Sequence, residues 1–460
     1  MARTVASLPA GSRITDYISL GVLAKTFPLD KVMAVVAAAG KTNQRQRDLP
    51  AHVVVYYVIA LTLYMQVSYR EVLRCLLEGV KWLLGPDWEV KVAGKSGISQ
   101  ARTRLGWEPL KQLHDDVVAP IAVKKTKGAW YRHWRSVSLD GSTLDVADNQ
   151  DNEKAFGRPA ASRGTSAYPQ VRFVSLVENG THVLFGTQMS GYGDGEITLA
   201  HKVLPSLKKG MLCLADRNFF GFDLWKKACA TGADLLWRVK KNLRLPGEER
   251  LPDGSYLSTI YRSDKDRRRG SNGIRVRVME YTLDGVAGAE PMYRLVTSIL
   301  DPNQAPAQEL AALYHERWEI ETALDELKTH LRGSKIVLRS KTPDLVRQEF
   351  YGLMMTHFAI RGLMHEAALQ GREDPDRLSF LHAVRVVRRK LPQFVAIPPQ
   401  ERKAFHKAVL AEILEEKVVS SRGRQIPRGV KRKMSNFPLR PRNTSATGPV
   451  DYAKYVKMLK

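Results

Sequence analysis

Met211–Ala215 is an unbroken apolar run, MLCLA, that ends on a lone carboxylate, Asp216. A strand with one wet face alternates apolar and polar side chains. An unbroken run instead reads as a strand buried on both faces, which demands a layer above and a layer below the sheet. Helical periodicity over Phe222–Thr231, closed by Gly232, leads into another apolar stretch at Asp234–Lys240. Upstream, Arg135–Leu139 reads as a short strand ending at Asp140. Val171–Val177 and His182–Gln188 read as a hairpin joined through Glu178-Asn179-Gly180. Ile197–Leu207 is amphipathic and helical. The order strand–strand–strand–helix–strand–helix–strand predicts an α/β core with a mixed sheet.

Two aspartates close apolar strands in this reading. Asp140 follows Val137-Ser138-Leu139, and Asp216 follows Leu212-Cys213-Leu214-Ala215. Open α/β sheets place their sites at the carboxyl ends of strands. A carboxylate at the edge of a buried strand is costly unless it is paired, caps a helix or binds a metal. Each aspartate alone also fits a turn or helix-cap role. Asp145, Asp148 and Asp151 compete with Asp140, and Asp223 competes with Asp216; position directly after the apolar strand favours Asp140 and Asp216.

A third acidic group lies in LYHERWEIETALDELKTHLRG, where Tyr314, Arg317, Glu321 and Lys328 are spaced Tyr-x2-Arg-x3-Glu-x6-Lys. On a helix over 304–330, at 3.6 residues per turn, these four fall within an arc of roughly 60°. Leu313, Ile320, Leu324 and Leu327 form the adjoining stripe that a core-facing helix needs. A carboxylate beside a guanidinium, a phenol and an ammonium suits phosphoryl transfer on a polyanion, whereas a solvated charged face would account equally for Glu316, Glu319, Asp325 and Glu326. Taken together, Asp140, Asp216 and Glu321 offer three hard oxygen donors suited to Mg²⁺ or Mn²⁺. Two such ions activate a water or a 3′-hydroxyl and stabilise the leaving oxygen.

Charge points to the same partner. Lysine and arginine exceed aspartate and glutamate by 25, with 44% hydrophobic residues. That excess fits nucleic acid better than a membrane surface. The longest apolar run, Val53–Met65, is too short to cross a bilayer and reads as a buried helix. No signal peptide is expected from the opening residues, and Cys75, Cys213 and Cys229 lack metal-ligand spacing. A cytoplasmic, nucleoid-associated protein is the expectation. Residues 1–130 read as helical, with Pro50–Met65, a helix capped by Ser68-x-x-Glu71 running through Leu84, Ser99–Leu105 and Leu110–Val118. Arg102 and Arg104 fit a helix-turn-helix DNA reader and a plain helical bundle equally. Residues 241–300 are turn-rich, with alternating pieces at Ile274–Tyr281 and Tyr293–Ser298 and a basic loop at Lys265–Arg269. Helices are expected at about Pro343–Leu369, Asp376–Leu391 and Pro399–Lys417. Ser421–Arg442 holds eight Lys/Arg and no acid, a basic tail that adds non-specific DNA affinity.

These residues resemble the insertion sequence 4 family of DDE transposases. The marks are Asp140 in SLDGSTLDV, Asp216 in LADRNFFGF and the Tyr-Arg-Glu-Lys helix, with SYREVLRCLLEG, SGISQARTRLG and YPQVRF in support. The resemblance implies a ribonuclease-H-like mixed sheet core with a helical N-terminal domain, a β-rich insertion and C-terminal helices. The corresponding division is 1–130, 131–240, 241–300, 301–340, 341–420 and 421–460. It implies Asp140, Asp216 and Glu321 as catalytic metal ligands, with Mg²⁺ or Mn²⁺, two ions, as cofactor. It implies Tyr314, Arg317 and Lys328 on transposon-end phosphates and Trp318 near a displaced base. Tyr293 stands where relatives can have a tryptophan that stacks on a flipped base, and a core strand aromatic is the other reading. The implied activity is binding of terminal inverted repeats, DNA cleavage and strand transfer by a homodimer on DNA. A metal nuclease without strand joining and a DNA-binding regulator derived from a transposase are the alternatives.

Overall fold

The computed structural model describes residues 25–43, 49–84, 93–159, 168–286, 289–333, 336–396, 400–419 and 451–459. Five helices come first: α1 (Leu29–Ala38), α2 (Ala51–Leu63), α3 (Tyr69–Leu84), α4 (Lys95–Leu105) and α5 (Glu108–Val117). The Glu71 N–H donates to the Ser68 hydroxyl at 3.2 Å, the cap that the Ser-x-x-Glu spacing predicts.

The strands are β1 (Trp130–Tyr131), β2 (Trp134–Asp145), β3 (Gln170–Glu178), β4 (Val183–Gly191), β5 (Met211–Ala215), β6 (Asp234–Arg238), β7 (Glu249–Arg250), β8 (Tyr256–Ile260), β9 (Ile274–Leu283), β10 (Tyr293–Thr297) and β11 (Val456–Met458). They form one sheet ordered β4-β3-β2-β5-β6-β10-β9-β8-β7, with β1 on β2 and β11 on β9. β2, β5 and β6 run parallel; the other pairings are antiparallel. The sheet is therefore mixed, as the element order predicts.

The structure extends the sequence reading at several points. β2 does not end at Asp140. Its parallel pairing with β5 stops at Leu139↔Ala215, but β3 pairs with it on to Asp145↔Gln170, so Asp140 lies inside an extended strand. The turn-rich stretch 241–300 adds its strands to the core sheet through β10 on β6. Of the basic tail at 421–460, residues 421–450 and 460 lie outside the described residues, while Val456–Met458 pairs with Leu283, Thr282 and Tyr281.

Helices cover both faces: α6 (Gln150–Phe156), α7 (Glu196–Val203), α8 (Phe222–Ala230), α9 (Asp264–Arg269), α10 (Ala307–His315), α11 (Glu319–Asp325), α12 (Pro343–Gly371), α13 (Phe380–Ala396) and α14 (Arg402–Ile413). β5 shows why an unbroken apolar run was needed. Cys213 and Ala215 face the main core on the α8 side, where Trp237, the neighbour of Ala215 in register, packs on Trp225. Leu212 and Leu214 face a second core with Leu310, Ala311 and Tyr314 of α10. The expected helix over 304–330 is segmented: α10, a 3₁₀ turn at Glu316–Trp318, α11, and a π-helical turn at Glu326–Leu331.

The apolar run at Val53–Met65 becomes α2, buried from Val53 to Leu63. It is laid so close to α12 that a Cβ on Gly352 would stand 3.0 Å from the Val58 carbonyl oxygen. The Thr62 and Thr356 hydroxyls bond across this contact at 2.7 Å. The N-terminal helices thus share a core with α12 and α13. Arg102 of α4 is buried and donates to the Gln348 side chain, the Ser340 hydroxyl and the Leu345 carbonyl. It serves as a core tie, which removes it from any DNA-reading surface.

Candidate active site

Parallel register sets the two aspartates side by side. Leu139 and Ala215 are the last paired residues of β2 and β5, so Asp140 and Asp216 are the next position on adjacent strands, about 4.8 Å apart in the sheet. Leu139 and Ala215 both face the main core. Alternation along the strand turns Asp140 and Asp216 to the opposite face, the one that α10 covers. Each carboxylate accepts a following backbone N–H, Gly141 to Asp140 at 2.8 Å and Arg217 to Asp216 at 2.6 Å.

The signature segment lies over this edge. The Tyr314 hydroxyl donates to the Ala215 carbonyl, one residue before Asp216, at 3.4 Å. Arg317 Nη1 stands 3.5 Å from Asp140 Oδ2, with its guanidinium 5.8 Å from the Tyr314 ring centre. Lys328 Nζ donates to the Ser142 hydroxyl, two residues past Asp140, at 3.0 Å. Tyr314, Arg317 and Lys328 therefore dock on β2 and β5. Glu321 is exposed on α11 and lies within the electrostatic reach of Arg317, together with Asp140 and Asp216.

Carboxylates and cations are interleaved at the site. Burial pushes the Asp140 carboxyl above the usual range; Arg317 and the Gly141 N–H oppose this, and Asp216 adds to it. The Arg317 guanidinium is held above its ordinary value despite its burial, because Tyr314, Asp140, Asp216 and Glu321 surround it. Burial raises the Tyr314 phenol to about 12 and lowers the Lys328 ammonium, with Arg332 adding to the fall. The Asp140, Asp216 and Glu321 carboxylates fit a divalent cation by donor chemistry: hard oxygens, no thiol or imidazole. Among the described residues, no three His, Cys, Asp or Glu side chains are gathered at metal-binding distance as they stand. Arg317 provides the positive charge in their midst.

The competing carboxylates go elsewhere. Asp145 accepts from Gln170, Asp148 pairs with Arg158, Asp223 pairs with Arg262, and Asp325 accepts from Thr329. Glu319 and Glu326 are buried on the far side of the signature segment, among His182, His357, Arg361 and Asp376. Tyr293 is 9% exposed. It stacks on Tyr281 at 5.3 Å, meets His315 edge-on and carries the Arg238 guanidinium over its ring at 4.8 Å. Those contacts make it a core strand aromatic. The Trp318 side chain is not among the described ones. Sequence reasoning passed over Arg238, which ends β6 beside Glu290 (2.6 Å) and feels Asp216 and Tyr314. It also passed over Glu196, which opens α7 and feels both aspartates. A lone arginine at a strand end and an acid in a first helical turn are common, so neither carries a sequence signal.

The profile of the insertion element 4 transposase N-terminal region matches residues 17–115, and that of the transposase DDE domain matches residues 135–359. The chain belongs to the insertion sequence 4 family of DDE transposases. Like other members of the family, it is a DNA-processing enzyme with a ribonuclease-H-like core, and its DDE domain implies a divalent metal. It is 25% identical over 429 residues to the transposase InsG for insertion sequence element IS4 of Escherichia coli (strain K12), spanning 89% of this chain and 92% of InsG. A cryo-EM structure of the piggyBac transposase synaptic complex with hairpin DNA covers 86% of this chain and 85% of its own, at a TM-score of 0.45 and 11% identity. No helix among the described residues is long and apolar enough to cross a membrane.

Proposed function

We propose that this transposase binds the terminal inverted repeats of its insertion sequence, cleaves the DNA there and joins the freed 3′ ends to a target, acting as a homodimer on DNA. The observation that carries the reading is the in-register placement of Asp140 and Asp216, with Arg317 3.5 Å from Asp140. Asp140, Asp216 and Glu321 would hold Mg²⁺ or Mn²⁺, which, when bound, supplies activation of a water or 3′-hydroxyl and neutralises charge on the phosphoryl group. The chain's own groups do the positioning. Lys328, anchored on Ser142, and Arg317 present cations on the strand-end face, where they orient backbone phosphates. Tyr314, tied to the Ala215 carbonyl, fixes the height of the segment above β5. The basic stretch at Ser421–Arg442 adds salt-dependent affinity. The test uses Glu321→Gln on DNA carrying the element's own ends. End binding is expected to persist while cleavage and joining into a plasmid are lost. Metal-dependent cutting by the variant refutes the site, and cutting by the wild type without any joining leaves a nuclease.

A further inference from the structure

Contacts behind the signature segment are as specific as those in front of it. Glu326 opens the π-helical turn Glu326–Leu331, where the Arg332 N–H donates to the Leu327 carbonyl, five residues back, at 3.2 Å. Such a turn is far rarer than the α turn it replaces and recurs at functional sites, so tertiary contacts must hold it. Leu327 and Leu331 are buried on it. Apolar contacts carry no direction, however, and a spacing of four suits an α turn equally. Glu326 is the residue with directional partners. Arg361 of α12 forks onto its carboxylate, Nε donating to Oε2 at 2.8 Å and Nη2 to Oε1. His182 Nδ1 stands 3.2 Å from Oε1, and His357 Nε2 stands 3.4 Å from Oε2. His182 comes from the β3–β4 turn and has a left-handed backbone, φ 58°, which few residues with a side chain adopt. In the same turn the Gly180 N–H donates to Glu319.

Stability alone does not call for charges here. Replacing a buried ion pair by apolar groups of like volume is often neutral or stabilising, and fixing register is the best-attested use of such a pair. The residue whose register matters lies two positions on. From inside the π turn, Lys328 Nζ reaches the Ser142 hydroxyl on β2 at 3.0 Å. Relaxing the turn to α geometry rotates the residues within and beyond it, by up to about 100° at its end. That rotation swings Lys328 off Ser142.

We propose that Glu326 and Arg361 are positioning residues: their buried fork holds the π turn that keeps Lys328 over β2, where it meets a backbone phosphate. This rests on the phosphate-binding reading of Lys328 given under Proposed function. Both residues are buried, so they act through Lys328.

The experiment is a mutant cycle on the full-length protein with K328A, E326L/R361M and the triple variant E326L/K328A/R361M. Fluorescence anisotropy of labelled end duplexes in EDTA, across a KCl series, reads binding. In the wild-type background K328A is expected to weaken binding about tenfold and to shrink the salt slope by about one unit. E326L/R361M replaces the pair by apolar groups, so its urea midpoint is expected near that of the wild type. Its end affinity and salt slope are nonetheless expected to fall as they do in K328A. Adding K328A to that background is then expected to cost under about twofold, the limit for a contact already lost. A full tenfold cost in both backgrounds would make the pair structural only and overturn the proposal. If K328A changes nothing in the wild type, the phosphate reading of Lys328 itself fails and the positioning role falls with it. Should E326L/R361M not fold, R361K decides, because it keeps the charge but cannot make the fork. A K328A cost that vanishes in the R361K background supports the proposal, and an undiminished cost overturns it.

Discussion

Replacing Arg317 by alanine should affect metal and DNA in opposite directions. The guanidinium stands 3.5 Å from Asp140 and shares the field of Asp216 and Glu321. At an effective dielectric constant of about 20, unit charges at that distance attract by about 5 kcal/mol. Asp140 keeps a quarter of its side-chain surface in water, and both ions lose hydration on pairing, which together reduce the net value to about 1–2 kcal/mol. Without Arg317, three carboxylates hold that much more free energy for another cation. Mn²⁺ affinity should therefore rise about five- to thirtyfold. The same substitution removes a phosphate contact, so affinity for the element's ends should fall and the slope of log K against log salt should shrink by about one unit. Calorimetry without DNA reads the first effect. Fluorescence anisotropy of labelled ends in EDTA, across a KCl series, reads the second. Mn²⁺ affinity that stays constant or drops, together with an unchanged slope, would refute this account of Arg317.

Two further expectations concern stability. Burial, with Arg238 and Arg317 adding to it, drives the His315 imidazole down to about 4, below its unfolded value of about 6.5. The unfolded chain thus binds more protons in this window, and stability is lost as pH falls from about 6.5 to about 4, by up to about 3 kcal/mol. His315→Phe should flatten part of that slope in urea melts, and an identical slope would show that His315 titrates freely. Arg361 pairs with the buried Glu326 at 2.8 Å through Nε, in a cluster with His182 and His357. Arg361→Met strands that carboxylate and should cost about 3–5 kcal/mol; a loss below about 1 kcal/mol in the same melts would mean that Glu326 finds another partner.

Local signals carried far in this chain. The Met211–Ala215 run was legible because a strand buried on both faces cannot alternate, and β5 has these bounds. The Ser68 cap, the β3–β4 hairpin and the burial of Val53–Met65 follow from equally local chemistry. What was not legible depends on distant partners. β2 runs on past Asp140 because β3 pairs with it, and nothing in Gly141-Ser142-Thr143 announces that partner. β11 joins β9 from the far end of the chain. The Tyr-x2-Arg-x3-Glu-x6-Lys spacing was read on a straight helix, yet the segment passes through 3₁₀ and π turns. Its opposite face is fixed by the buried Glu319 and Glu326 cluster, and three of its four residues still reach β2 and β5. Tyr293 looked the same in sequence whether packed or presented to a base. The Tyr281 and His315 rings that settle its place come from β9 and α10.

Anomalous diffraction from crystals of the full-length protein soaked in Mn²⁺ is the most direct check on the shared-cation site. The account predicts a peak beside the Asp140 and Asp216 carboxylates on the side that Arg317 approaches. A peak among Glu319, Glu326 and His182 instead, or none beside the two strand aspartates, would contradict it.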